Sequence, residues 1–408
     1  HSWNTQSLEV EPADVVTYYF TVGDNDGING SKYSSSTKSF VYIPSKEDLK
    51  NQEEKANEDI KKELADLKKE YQDVQKELDA LDRKFLENKS FDWEQRQQMK
   101  NVVKKHQSLQ ERIEELLQKQ QQKNEQSERF ETASEELLEK QKELEELMEK
   151  VLDPETKKLL EELEKMMDEL NKNQAQEKLD ELRKNSEDLE KEMDRSLELF
   201  KQLEFEKSLE ETMDRIAELK EEQEDILEKT DDKNTSPEEL KKEQEAAQKE
   251  LENVKKDLES LQEKNEELEN SHTLPDTKSE ESKASDGMQE SKESLEKGKK
   301  GKSKTGQEKA KEALEELEEK LAGLEKEMKE NQKFEDMQAM RQLLENLIQL
   351  SFDQEELIDE AKLLKGNDPS FVKSAERQKE LRENAQIIED SLSYELSPAF
   401  GKKGGNNK

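Results

Sequence analysis

Cysteine is missing from this chain altogether. Its absence removes disulfides, thiolate metal sites and cysteine nucleophiles together, and leaves either side of a bacterial inner membrane open as the compartment. Histidine occurs three times, at His1, His106 and His272, too few and too scattered for a histidine metal cluster. Aromatic residues make up 5% and all hydrophobic residues 29% of the 408 residues. That is too little apolar surface to offset the chain entropy of one compact globular core. No apolar run approaches the ~20 residues that a membrane span needs, and no signal peptide is visible. A membrane anchor would lie upstream of His1.

Charge is abundant instead: 43% of residues are charged and the formal net charge is −37. Nucleic acid and anionic membrane surfaces would be repelled by the body of such a protein, so neither is expected as its main partner. A bias towards Glu, Lys, Leu, Gln and Asp suits long amphipathic helices. These satisfy their own backbone hydrogen bonds and need only a narrow apolar stripe to pack.

A short β-rich segment comes first. Val16, Tyr18, Phe20 and Val22 alternate with Thr17, Tyr19 and Thr21, the period-two pattern of a strand. Turn residues follow from Asp24 to Gly30, and Phe40 to Ile43 give a second strand. With Leu8, Val10, Pro12 and Asp14 ahead of Tyr18, residues 1–44 read as the last strands of an immunoglobulin-like β-sandwich. Two strands cannot bury a core alone, so the chain is expected to be the C-terminal portion of a longer protein.

Beyond Pro44 the fold class is mainly α, with elongated helical hairpins or coiled coil. Residues 45–151 read as a long hairpin whose seam runs Leu64, Leu67, Tyr71, Val74, Leu78, Leu81 and Phe85 with spacings of three and four. A break at Asn88 to Ser90, with Ser90 or Asp92 as cap, begins a return helix carrying Val102, His106, Leu109, Ile113 and Leu116. Unbroken, the stretch from Asp92 to Asp153 would measure ~90 Å, which implies a rod or elongated bundle. Phe91 and Trp93 are expected to staple that helix to its neighbour. Asp153-Pro154 starts residues 152–270, read as coiled-coil helices with an interruption near Asn171 and Asn173. Ser236-Pro237-Glu238-Glu239 is a capping box. The seam after it runs Leu240, Gln244, Ala247, Leu251, Val254, Leu258, Leu261, Asn265 and Leu268, with Gln244 and Asn265 placed to fix register.

The seam then vanishes and Ser, Lys, Glu and Gly dominate, so Ser271 to Gln307 reads as a disordered low-complexity linker. Residues 308–400 return to helix, through Ala310, Leu314, Leu317, Leu321, Leu324 and Met328. The stripe broadens at Met337, Met340, Leu344, Leu347, Ile348 and Leu350, which predicts burial on more than one side. Helix starts are expected at Ser351-x-x-Gln354 and Asp368-Pro369, and residues 401–408 form a disordered tail.

Candidate chemistry is sparse. Gly301-Lys302-Ser303 ends like a phosphate-binding loop, but Glu296 stands where that motif needs glycine and no strand precedes it. Asp24, Asp26 and Asn29 offer hard oxygen ligands, yet a calcium loop wants a ligand at Ile28 and glutamate at Ser35, so a plain turn is favoured. Lys292 to Lys311 is a basic island, either a tether to an anionic partner or a stretch that leans on the protein's own acidic helices. His106 sits at a seam position, which points to a buried structural role. Paired carboxylates carry no acid/base signal where glutamate is everywhere. No catalytic, cofactor or metal site is expected, and no small-molecule substrate.

Several stretches together resemble a known set of proteins. They are Tyr18 to Lys32, the Asp153-Pro154 region, Leu197 to Glu206, Leu350 to Glu355, Asn367-Asp368-Pro369 and Ile388 to Leu392. The chain is similar, nearly throughout except Ser271 to Gln307, to very large Bacteroidetes-type envelope proteins of uncharacterised function. In that family transmembrane helices precede immunoglobulin-like segments and then a long helical region. The resemblance implies an inner-membrane anchor outside this sequence, a periplasmic location and no established catalytic residue. The expected function is a non-enzymatic structural or interaction protein of the cell envelope whose partners are other proteins or further copies of itself. The alternatives are a periplasmic chaperone-like holdase using the Met337 and Met340 surface, and the coiled-coil arm of an ATPase of the chromosome-maintenance type.

Overall fold

The computed structural model describes residues 13–24, 30, 32–87, 93–130, 134–152, 154–169, 172–232, 235–364 and 370–395. The corner at Leu8 to Pro12, Asp26 and Asn29 of the turn, the Ser90 or Asp92 cap, Phe91, the Asp153 cap, Asn171, Asp368-Pro369 and the tail lie outside them.

Short strands come first: β1 (Val15–Tyr18), β2 (Thr21–Gly23), β3 (Tyr33–Ser35) and β4 (Ser39–Tyr42). β1 pairs antiparallel with β4 (Val15 opposite Tyr42), and β2 with β3 (Thr21 opposite Ser35). Two residues on one side of the junction face three on the other, the signature of a bulge. Ser36 fills it, its amide donating to the Phe20 carbonyl at 2.8 Å and its hydroxyl accepting from the Phe20 amide at 2.9 Å. Asp24 closes the turn, accepting from the Lys32 amide at 2.8 Å. An immunoglobulin-like sandwich is not seen: among the described residues the sheet is these two small ladders, with Phe20, Val22, Tyr33 and Phe40 all exposed.

Helices make up nearly all the rest: α1 (Lys46–Glu87), α2 (Trp93–Phe130), α3 (Glu135–Val151), α4 (Pro154–Glu169), α5 (Lys172–Asp231), α6 (Pro237–Glu267), α7 (Lys278–Glu296), α8 (Lys300–Leu363) and α9 (Ser370–Glu395). α1 starts on a reciprocal cap. The Ser45 hydroxyl accepts from the Asp48 amide at 3.1 Å, and the Asp48 carboxylate accepts from the Ser45 amide at 3.0 Å and the Tyr42 hydroxyl at 2.5 Å. Hydrogen bonds from Ser45, then from Tyr42, pull the Asp48 carboxyl down to about 2.

Two compact units divide the chain: His1–Thr132 with Met148–Leu197, and Ala133–Leu147 with Glu198–Lys408. In the first, α2 runs back along α1, tied by Arg112 to Glu63 and Glu70 at 2.8 and 2.6 Å and by Lys105 to Glu77 at 2.5 Å. α4 and residues 172–197 of α5 join them, with Lys178 bonded to Glu162 and Arg183 to Asp79. Trp93 is 74% exposed, so the expected staple does not form through it.

The second unit is built on α5, α6, α7 and α8. Ser236 caps α6, its hydroxyl accepting from the Glu239 amide at 3.1 Å. The expected linker is helical: α7 and the start of α8 occupy it, packed face to face. Its seam did not stop but shrank, to Ala284, Gly287, Ser291, Ser303, Gly306 and Ala310, all buried. Helices whose contact residues are small can approach until their backbones touch, which recovers dispersion without large side chains. α8 also runs unbroken through Ser351 and Gln354, where a helix start was expected, since no proline or glycine interrupts residues 324–363.

Candidate interaction surface

The seam residues singled out from spacing are all buried. Leu64, Leu67, Tyr71, Val74, Leu78, Leu81 and Phe85 line the first unit, and Leu240, Leu251, Val254, Leu258, Leu261, Leu268, Leu314, Leu317, Leu321 and Leu324 line the second. They are therefore spent on packing within the chain. Gln244 and Gln223 exchange amide hydrogen bonds at 2.8 and 3.4 Å, Gln244 also accepts from Ser291 at 2.8 Å, and Ser291 meets Ser303 at 2.9 Å. Asn265 clamps the backbone of His272 from both sides, at 2.9 and 2.8 Å.

Tyr71 and His106 meet edge to face at 5.4 Å in the first unit. The Tyr71 hydroxyl and both His106 nitrogens are buried without a hydrogen-bond partner. Burial brings the imidazole down to about 4, so it is neutral at pH 7, and it raises the phenol. Its burial and the edge-to-face contact with Tyr71 give the ring a structural place.

The basic island folds onto the protein's own acids. Lys292 reaches Glu245 at 3.2 Å, Lys304 reaches Asp231 and Lys309 reaches Glu290, both at 2.8 Å, and Lys311 reaches Glu224 at 2.6 Å. Lys300 donates to the carbonyls of Asp232 and Thr235 at 2.7 and 2.9 Å, where the dipole at the end of α5 favours a cation. Gly301-Lys302-Ser303 opens α8 and Ser303 is buried, so no phosphate loop forms there.

One cavity of about 440 Å³ lies in the second unit, between the starts of α3 and residues 202–210 of α5, the Asn270 to His272 turn and residues 325–336 of α8. His272 stacks on Phe205 at 5.3 Å, and burial lowers its pKa below the ordinary value. Lys140 is paired with Glu206, and Lys329 with Glu136 and Glu325 at 3.1 and 2.7 Å. Burial raises the Glu210 carboxyl. Carboxylates outnumber the two ammonium groups in the wall, which is therefore acidic, and both Lys140 and Lys329 are already matched. Among the described residues no group of histidines and carboxylates could hold a metal ion.

The open apolar surface is on α8. Residues 337–350 were expected to be buried on more than one side, and the structure corrects this. Met337 is 65% exposed, Leu344 58% and Phe352 61%, while Met340, Leu347 and Ile348 are also exposed. α9 packs on a different face, where Leu343, Leu357, Leu381 and Ile388 are buried, with Arg377 bonded to Glu356 at 2.6 Å and Gln354 to Gln378 at 3.0 Å. That the apolar stripe broadens here was legible in the sequence; that only part of it would find an internal partner was not. No helix among the described residues is long and apolar enough to cross a membrane. In comparisons with known proteins, no family model, no curated protein and no solved structure matches the chain.

Proposed function

We propose that this chain is a non-enzymatic structural and interaction protein of the bacterial cell envelope, whose helices pack on one another and present the open face of α8 to a protein partner. The observation that carries the reading is the division of apolar residues. The Leu-spaced seams are buried within the chain, and Met337, Met340, Leu344, Leu347, Ile348 and Phe352 remain as an exposed helical face. Contiguous apolar patches of this kind mark interaction sites. The β hairpin, with Val15, Phe20, Val22 and Phe40 exposed, suits the last strands of an immunoglobulin-like sandwich whose other strands would cover them. The stretches that resemble the envelope proteins are the support for an inner-membrane anchor and a periplasmic position. The test is protease treatment of cells producing the natural full-length protein: the helical region should be protected in intact cells and digested in spheroplasts. Protection in both refutes the location.

The same exposed Met337, Met340 and Leu344 favour a second reading, a holdase that grips unfolded outer-membrane clients. The chain should then suppress client aggregation, and Leu344→Glu with Ile348→Glu should abolish the effect.

A further inference from the structure

We propose that two copies of this chain associate through the open face of α8, antiparallel, about a two-fold axis crossing the helix near Leu343. The inference rests on the interaction reading above and supplies its partner. At 3.6 residues per turn, Phe334, Met337, Leu344, Leu347, Ile348 and Phe352 fall within one arc of about 140°, while Leu343 and Leu357, buried where α9 packs, lie beyond its Leu347 edge, about 40° and 80° further round. α8 is thus apolar on two faces, one of them uncovered.

Self-complementarity selects the occupant. When an antiparallel copy is laid on the stripe with Phe334 opposite Phe352 of the second copy, Met337 comes opposite Ile348 or Gln349, and Met340 lies near Leu344. Arg341 then stands opposite Glu345, and Lys333, at one end of the stripe, faces Glu355 at the other. Both charge pairs become opposite in sign, each occurs twice by symmetry, and among the described residues none of these four side chains forms an ion pair within the chain. Arg341 and Glu345 stand on the same edge of the stripe, and antiparallel helices set like edges together. Parallel pairing would set opposite edges together and separate them. Between 337 and 352 these are the only charged residues, so this segment is neutral in a chain of net charge −37, and the repulsion between copies is weakest there. Side chains of this size left about half exposed offer roughly 700–800 Å² per copy, near the ~800 Å² that each partner contributes to a standard specific interface. The contact is isologous, so it closes as a dimer.

Sedimentation equilibrium of the full chain at physiological salt tests this. At about 50 μM, above the micromolar constants that such an area supports, the expected particle has twice the 47.7 kDa chain mass. Leu344→Glu with Ile348→Glu should give a monomer of unchanged helix content, since both side chains are exposed. Arg341→Glu should weaken the dimer about tenfold, two rim pairs being lost together, and adding Glu345→Arg should restore it. Because the chain has no cysteine, direction can be read by oxidative cross-linking. Phe334→Cys and Phe352→Cys should each fail to link alone and link when mixed. A monomeric parent chain overturns the dimer, and self-linking of either single variant overturns the antiparallel arrangement. Neither result touches the envelope reading, which stands or falls on protease access in spheroplasts.

Discussion

A single methyl group added at Gly306 tests the tight α7–α8 contact on which the second unit depends. A Cβ there would lie 2.6 Å from the Gly287 carbonyl oxygen and 2.7 Å from the Ser291 nitrogen; one at Gly287 would lie 2.7 Å from the Gly306 carbonyl oxygen. These are backbone atoms and cannot rotate aside. Restoring an ordinary 3.4 Å contact parts the helices by roughly 0.7 Å, and a gap of that size forfeits a quarter to a half of each dispersion contact along the interface. Overpacking of this kind costs about 1–3 kcal/mol, offset by the ~1 kcal/mol that alanine gains over glycine within a helix. Gly306→Ala should therefore destabilise by up to about 2 kcal/mol. Gly323, also within α8 but with nothing within 4 Å of its would-be Cβ, isolates the propensity term, and Gly323→Ala should stabilise by about 0.5–1 kcal/mol. Hydrogen exchange read by mass spectrometry separates α7 and α8 peptides from the rest of the chain and reports their local opening free energy. If Gly306→Ala protects α7 as well as Gly323→Ala does, the backbone contact is refuted.

Acid should weaken the first unit through His106. Its folded pKa is about 4 against 6.5 for the free side chain, so above pH 6.5 both states are neutral. As pH falls below 6.5 the unfolded chain takes up a proton that the folded chain refuses. Stability should drop by on the order of 3 kcal/mol between pH 6.5 and 4, with no further loss from this residue below that; His106→Leu should flatten the profile in urea melts followed by exchange of α1 and α2. In the second unit, Gln244→Leu strands the Gln223 amide, leaves the Ser291 hydroxyl only Ser303 as partner and should cost about 1–3 kcal/mol, whereas Gln223→Leu with Gln244→Leu should cost markedly less, a non-additivity that a double-mutant cycle measures. Ser236→Ala removes the cap of α6 and should cost about 1 kcal/mol, seen as faster exchange confined to its first turn.

Seam positions such as Tyr71, Leu251 and Leu317, the helix start at Ser236, and the polar seam residues Gln244 and Asn265 were determined by the sequence alone. A three-and-four spacing of large apolar side chains acts locally, on one helix, whatever lies opposite. The strands at Val15 and Phe40 were also legible from alternation, although the bulge at Ser36 was not, because a register step belongs to a pair of strands and not to either one. The helical nature of residues 278–307 was decided only in the tertiary structure. Ala284, Gly287, Ser291, Gly306 and Ala310 have little hydrophobicity of their own and become a core only when a second backbone comes within reach. The destination of the lysines from 292 to 311 depended likewise on which acidic helices lie beside them. The same holds for α8: composition gave residues 337–352 a broad apolar stripe, but the placement of α9 decided which part was covered and which was left open.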